Sequence, residues 1–267
     1  MAYQTIRLDI AEGVATLTLD RPERKNALDL AIREEIADAF SRVRANTEVR
    51  ALILTGAGGD FCSGGDLRSM AEGDITAEAG RRRMQGIHAW LRDLMEFDRP
   101  VISAVDGAAF GAGFGLALAA DLVLATPRAR FCASFQRVGL VADSGLFYTL
   151  PRMIGLQRAK ALLYSARELD AATALDWGIV FEVVPAEALQ ERARAIAAGL
   201  ATASPTALAL TKSALARSFE SDLGTMLEIE AAAQGIVFST DYHRAAVRRF
   251  LDKQPVAFQW PPSAPAK

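Results

Sequence analysis

Two turns of small residues constrain this chain more than any other feature: Phe61-Cys62-Ser63-Gly64-Gly65-Asp66-Leu67 and Gly107-Ala108-Ala109-Phe110-Gly111-Ala112-Gly113-Phe114-Gly115. Each lies directly after or near an apolar, strand-like run. Small residues let a backbone approach a ligand closely and leave its N–H groups free to donate. Two such turns facing each other can hold one developing negative charge between two N–H groups, the arrangement of an oxyanion hole. That points to chemistry on an activated acyl group.

The rest of the pattern is α/β. Ile6, Leu8 and Ile10 alternate with polar residues, as do Val14, Leu17 and Leu19, and Glu12-Gly13 between them reads as a hairpin turn. Ile32, Ile36, Phe40 and Val43 recur at helical spacing behind Asp29, a candidate N-cap. Ala51 to Thr55 reads as a short buried strand ending at Gly56. Met84, Ile87, Leu91, Leu94 and Met95 mark one helix stripe between Arg81 and Phe97, and Pro100 stops it. A strand over Val101 to Val105, a helix over Ala112 to Ala120 and a strand over Leu122 to Ala125 follow. Strands alternating with helices argue for a layered α/β core.

After about Leu189 the pattern changes. Ser204-Pro205 and Asp222 are good helix starts, and apolar residues run at helical spacing through Leu215, Met226, Ile236 and Phe250. Helices without a sheet of their own often pack on another subunit. The expected division is a core over residues 1–195 and a helical oligomerisation region over residues 196–267. The proline-rich end, Gln259 to Lys267, reads as a loose tail.

Composition narrows the function. With 267 residues, 51% of them hydrophobic, the chain can bury a substantial core in one domain. A net charge of −2 gives no broad basic field, so nucleic acid is not the expected partner. Cys62 and Cys132 form no CxxC pair, so neither zinc nor a disulfide framework is expected, and a reducing, cytoplasmic setting fits. Met1 to Leu8 lacks the layout of a signal peptide. The most apolar region, Val101 to Ala125, is broken by Asp106, Asp121 and glycines, which argues against a membrane span. Gly111 to Gly115 invites a nucleotide-binding reading, but the six-position fingerprint is incomplete and no phosphate-binding loop motif is present. A helix start there favours an anion, with close helix packing as the alternative use of the glycines.

Arg21-Pro22-Glu23-Arg24-Lys25-Asn26-Ala27-Leu28, then Phe61 to Leu67, then Arg99 to Gly107 with its glycine turn, resemble the enoyl-CoA hydratase/isomerase (crotonase) superfamily in order and spacing. The resemblance covers nearly the whole chain. It implies a spiral of ββα units followed by a helical trimerisation region, assembled as a trimer or a dimer of trimers. It also implies an acyl-CoA thioester substrate, with coenzyme A as part of the substrate and no separate cofactor or metal. The backbone donors to the thioester oxygen then fall at Gly65 and Ala112. Ser63 and Asp66, with Gly64 and Leu67 of the same turn, fall beside the adenine and pantetheine. Arg24 and Lys25 fall near the CoA phosphates. Phe250 and Lys253 resemble the segment that reaches a neighbouring subunit's CoA, Phe250 covering the adenine and Lys253 pairing a phosphate. An ordinary solvated side chain is the alternative for each basic residue.

The chain departs from the hydratase pattern at two positions. That pattern needs two glutamates, one activating water and one delivering the proton. The positions that correspond here are Gly115 and Phe135. A carboxylate follows later, at Asp143, near the expected start of a helix running to Met153. From the residues alone an N-cap remains open for it. The segment resembles the 1,2-epoxyphenylacetyl-CoA isomerase branch, where an aspartate moves protons, and also the 4-chlorobenzoyl-CoA dehalogenases, where the matching aspartate is a nucleophile. His88, on the apolar stripe of its helix, matches the dehalogenase base in position, with a hydrogen-bonded core residue as the alternative. A tryptophan of that branch is replaced by Phe135, whose apolar ring is expected to raise the pKa of a neighbouring acid. Phe110, Phe114, Phe131 and Phe135 either line the acyl pocket or pack the core, and Arg81-Arg82-Arg83 reads as a solvated face. The leading expectation is double-bond isomerisation with Asp143 as proton shuttle. The alternatives are hydration by a single acid, aryl-CoA dehalogenation with Asp143 as nucleophile and His88 as base, and non-catalytic acyl-CoA binding.

Overall fold

A computed structural model describes residues 3–71 and 76–262. The chain opens with a hairpin of β1 (Ile6–Ala11) and β2 (Val14–Leu19), turned by Glu12 and Gly13 at φ +52° and +76°. Two successive left-handed residues match the strand twist of a two-residue hairpin. Helix α1 (Leu30–Ala45) follows, capped by the Asp29 side chain, which accepts from the Ile32 N–H at 3.1 Å. Next come β3 (Ala51–Gly56), the short α2 (Leu67–Ala71), α3 (Ala77–Met95), β4 (Val101–Val105) and β5 (Ala108–Phe110). Then follow α4 (Ala112–Leu118), β6 (Leu122–Ala125) and β7 (Arg130–Cys132). After these come α5 (Leu146–Ser165), β8 (Glu168–Asp170), α6 (Ala171–Asp176) and β9 (Glu182–Val183). The chain closes with α7 (Leu189–Ala201), α8 (Pro205–Arg217), α9 (Leu223–Phe238) and α10 (Asp241–Leu251).

The larger sheet has six strands in the order β1-β2-β3-β4-β6-β9, parallel except for the β1–β2 hairpin, and β5, β7 and β8 form a smaller sheet. A parallel sheet is covered on both faces, so its strands are apolar throughout. Ala51, Ile53, Ile102 and Leu124 point to one face, where Ala193, Ile196 and Ala197 of α7 cover them. Leu52, Leu54, Val101, Val105 and Val123 point to the other face, under α1, α3 and α4. Helix α7 therefore runs across residue 195 while packing on the sheet.

Two local expectations are corrected. Asp143 does not cap α5: the helix begins at Leu146, and the cap residue Gly145 sits at φ +81° with no side-chain bond. The expected end at Met153 falls just before a break in α5 at Gly155 (φ +76°, ψ +158°), beyond which the helix continues to Ser165. The tail is anchored as far as Pro262, because the Pro262 carbonyl accepts from Arg192 at 2.7 Å and Trp260 packs edge-on against Phe181. Residues 263–267 lie outside the described residues. The expected starts of α8 and α9 hold, with Ser204 and Asp222 accepting from the Ala207 and Thr225 N–H groups. Neither α8, α9 nor α10 buries a single residue within the chain.

Candidate active site

The two glycine turns are stitched together through the backbone. The Cys62 N–H donates to the Ala108 carbonyl at 2.8 Å, and the Phe110 N–H returns to the Cys62 carbonyl at 2.9 Å. On the other side of the first turn, Leu28 N–H donates to Gly64 and Asp66 N–H donates to Leu28, bracketing Gly65. In that pairing the Gly65 N–H points away from Leu28. Among the described residues, neither Gly65 N–H nor Ala112 N–H donates to a protein acceptor. The turns approach so closely that a Cβ on Gly64 (φ +101°) would lie 2.7 Å from the Phe110 carbonyl oxygen and 3.5 Å from the Ala112 nitrogen. Two unused backbone donors on adjoining turns are what an oxyanion hole requires.

A third segment holds this pair from below. Asn26, fully buried and at φ +56°, accepts from the Arg21 N–H and donates through Nδ2 to the carbonyls of Ala57 (2.9 Å) and Asp60 (2.7 Å). Lys25, also left-handed, offers its carbonyl to the Ser63 N–H at 2.9 Å, while its ammonium lies 3.8 Å from Asp60. Arg24 is exposed, and its carbonyl accepts from the Ser63 hydroxyl at 3.4 Å. The Asp66 carboxylate caps α2 through the Arg68 N–H and lies 3.5 Å from Arg21. Burial pushes its pKa up, but the Ser69 and Arg68 N–H groups and the nearby arginines outweigh this and hold it below the usual range. Leu67 is exposed at the rim.

Asp143 stands on the loop between Phe135 and α5. Its carboxylate accepts from the Ser144 hydroxyl at 3.0 Å. Burial pushes its pKa above the ordinary aspartate value, against the opposing pull of Ser144, Arg33, His88 and Arg83. Ser144 is held at φ +50°, and this brings its backbone against α4. A Cβ on Gly115 would lie 2.5 Å from both the Ser144 Cβ and its carbonyl oxygen. The space that a side chain at position 115 would take is thus filled by the aspartate loop. Phe135, also buried, stands with its ring edge 3.9 Å from a Cβ built on Gly111.

His88 is corrected: it is exposed, and Ile87, Trp90, Leu91 and Leu94 form the inner stripe of α3. It remains within electrostatic reach of Asp143. Phe114 and Phe131 are core residues, fully buried with ring centroids 5.5 Å apart, whereas Phe110 is half-buried beside Gly64. Arg83 leaves the solvated face: it is half-buried, and its Nη2 is buried without an acceptor. Arg33, which no motif in the sequence marked, is 7% exposed. Its only sequence signal is a charge directly beside Ile32 of the apolar stripe on α1, with Leu30, Ala31 and Glu34 around it exposed. Phe250 and Lys253 are exposed on and just after α10, and among the described residues no hydrogen bond or ion pair joins their side chains to these groups. Cys62 lies beneath the turn, its thiol pushed up to about 12 by burial, so it is no nucleophile. Among the described residues no group of three or more His, Cys, Asp or Glu is placed to hold a metal ion.

Fold and site together define a crotonase-type acyl-CoA enzyme, and the chain belongs to the enoyl-CoA hydratase/isomerase family, whose model matches residues 9–261. Among its relatives, the protein named "probable enoyl-CoA hydratase" of Rhodobacter capsulatus is 40% identical over 258 residues, 97% of this chain and 99% of that one. The 1,2-epoxyphenylacetyl-CoA isomerase of Escherichia coli is 35% identical over 251 residues, covering 93% of this chain and 96% of that one. A crystal structure of an enoyl-CoA hydratase/isomerase from Cupriavidus metallidurans superposes with a TM-score of 0.94 at 43% identity, covering 99% of this chain and all of the other.

Proposed function

We propose that this chain catalyses a double-bond shift in an enoyl-CoA thioester. The observation that carries the reading is Asp143: one half-buried carboxyl with a raised pKa, at a site where Gly115 and Phe135 replace the two glutamates of a hydratase pair. The Gly65 and Ala112 N–H groups hold the thioester oxygen. Asp143 as carboxylate removes a proton from C2 of a 3-enoyl chain, and the negative charge moves onto that oxygen. The same proton then returns from Asp143 to C4, leaving the conjugated 2-enoyl thioester. One group acts first as base and then as acid, which favours a pKa between the two roles. Ser63, Gly64, Asp66 and Leu67 are assigned to the CoA path, with Arg24 and Lys25 toward its phosphates.

The bare apolar faces of α8–α10 support assembly as a trimer or hexamer. In such an assembly Phe250 and Lys253 reach a neighbouring subunit's CoA. A second reading, dehalogenation of an aryl-CoA through attack by Asp143, is favoured by the closeness of His88 alone. The test is incubation with a 3-enoyl-CoA, following the 2-enoyl isomer and any 3-hydroxy product by chromatography and mass spectrometry. Conjugated product that vanishes in Asp143→Asn supports the shuttle. A 3-hydroxy product or release of halide from 4-halobenzoyl-CoA, with no isomerisation, rejects it.

A further inference from the structure

Two guanidinium groups at the site have no hydrogen-bond or ion-pair partner among the described residues. Arg33 projects from α1 and Arg83 from α3, and these helices pack against each other. Arg33 is 7% exposed, and its Nε is fully buried without a hydrogen bond. Arg83 likewise buries Nη2 without an acceptor. Neither forms an ion pair with any described residue, although both lie within electrostatic reach of Asp143 and of each other. Nη2 of Arg33 lies 3.7 Å from a Cβ built on Gly65, beside the proposed oxyanion donor.

Leaving a buried guanidinium without an acceptor is costly, and placing a second cation near it adds repulsion. Asp143 does not neutralise the pair by contact, and a shuttle must pass through its uncharged form. The other arginines around the site are differently engaged: Arg21 pairs with Asp29 at 2.8 Å, and Arg128 is clamped on Asp106 at 2.6 Å. Arg33 and Arg83 are the buried exceptions, and Arg33 stands beside Gly65.

We propose that Arg33, assisted by Arg83, binds a carboxylate carried on the acyl group, so that the preferred substrates are short dicarboxylic acyl-CoA thioesters. This inference rests on the acyl-CoA reading above. A guanidinium fork matches a carboxylate with two parallel hydrogen bonds, and the half-dry setting strengthens them. The short path from Gly65 to Arg33 favours an acid group only a few carbons beyond the thioester.

Calorimetric binding of two saturated thioesters, glutaryl-CoA and hexanoyl-CoA, to the full-length protein tests this without turnover. Glutaryl-CoA is expected to bind roughly tenfold or more tightly than hexanoyl-CoA at low salt. That preference collapses in Arg33→Met and weakens in the less buried Arg83→Met, while hexanoyl-CoA affinity holds. Equal binding of the two thioesters to the wild-type protein overturns the proposal whether or not either variant folds. So does a preference that survives both substitutions. Binding of neither thioester removes the acyl-CoA reading itself and this inference with it.

Discussion

Gly115 and Ser144 are packed so closely that a Cβ on the glycine would lie 2.5 Å from the serine carbonyl oxygen. This one contact links the missing glutamate to the aspartate that follows it. Ser144 reaches α4 because Ser144 and Gly145 are both left-handed, at φ +50° and +81°. The same bend carries Asp143 off the helix start and toward Arg33 and His88. A side chain at position 115 and this loop conformation exclude each other.

A glutamate at position 115 is therefore not expected to confer hydration. Gly115→Ala is expected to destabilise the chain by about 1–3 kcal/mol, because the obstacle is backbone rather than a flexible side chain. Gly115→Glu lowers the melting temperature further and yields no 3-hydroxyacyl-CoA. A stable Gly115→Glu protein that hydrates crotonyl-CoA contradicts the packing argument.

Asp143→Asn is expected to lower isomerisation by roughly 10²–10⁴-fold, the range of a positioned acid–base group. In the wild-type protein the rate falls on the acid side as Asp143 takes up its proton, at a pH above the ordinary aspartate value of about 3.9. Stability moves the opposite way. Burial raises the folded pKa, so the contribution of Asp143 is greatest below its unfolded pKa and is lost as pH rises through the folded one. Melting curves from pH 3 to 8 should show Asp143→Asn gaining on the wild type through that window and then running parallel. A wild type that instead gains on Asp143→Asn as pH rises would place the carboxyl in a charge-stabilising site.

Asn26→Ala removes the staple between the Arg21–Leu28 segment and the first glycine turn. Three hydrogen bonds of a fully buried amide are lost, and two carbonyls are left short of a donor. The expected cost is about 2–4 kcal/mol, together with a fall in turnover as the Gly65 N–H loses its fixed direction. Thermal unfolding and kcat measured on the same preparation check both. Unchanged turnover in a folded variant shows that Gly65 is held by Leu28 alone.

The C-terminal helices expose Leu223 and Leu227 on α9 and Phe250 on α10 at 75%, 53% and 75%. Native mass spectrometry is expected to show three or six copies. Leu227→Asp shifts the distribution toward the monomer and weakens acyl-CoA binding, since Phe250 and Lys253 lose their neighbour. A monomeric wild-type protein with full affinity would leave that segment without a ligand.

Sequence by itself settled the α/β alternation, the hairpin, the caps at Asp29, Ser204 and Asp222, and the two glycine turns. These depend on residues close together in the chain: a period of two or three and a half, a short polar side chain before a helix, a glycine where the backbone must come close. The family followed from the same local motifs. Only the tertiary structure decided which way Asp143 faces, because its role depends on a left-handed Ser144 and on Gly115, which is distant in the chain. Burial likewise separated Arg83 from Arg81 and Arg82, and set Arg33 apart from every other charge on α1. A charge looks the same in a sequence whether it faces water or is buried without a partner. Its energy depends on the groups that the fold brings around it, and these come from helices far apart along the chain.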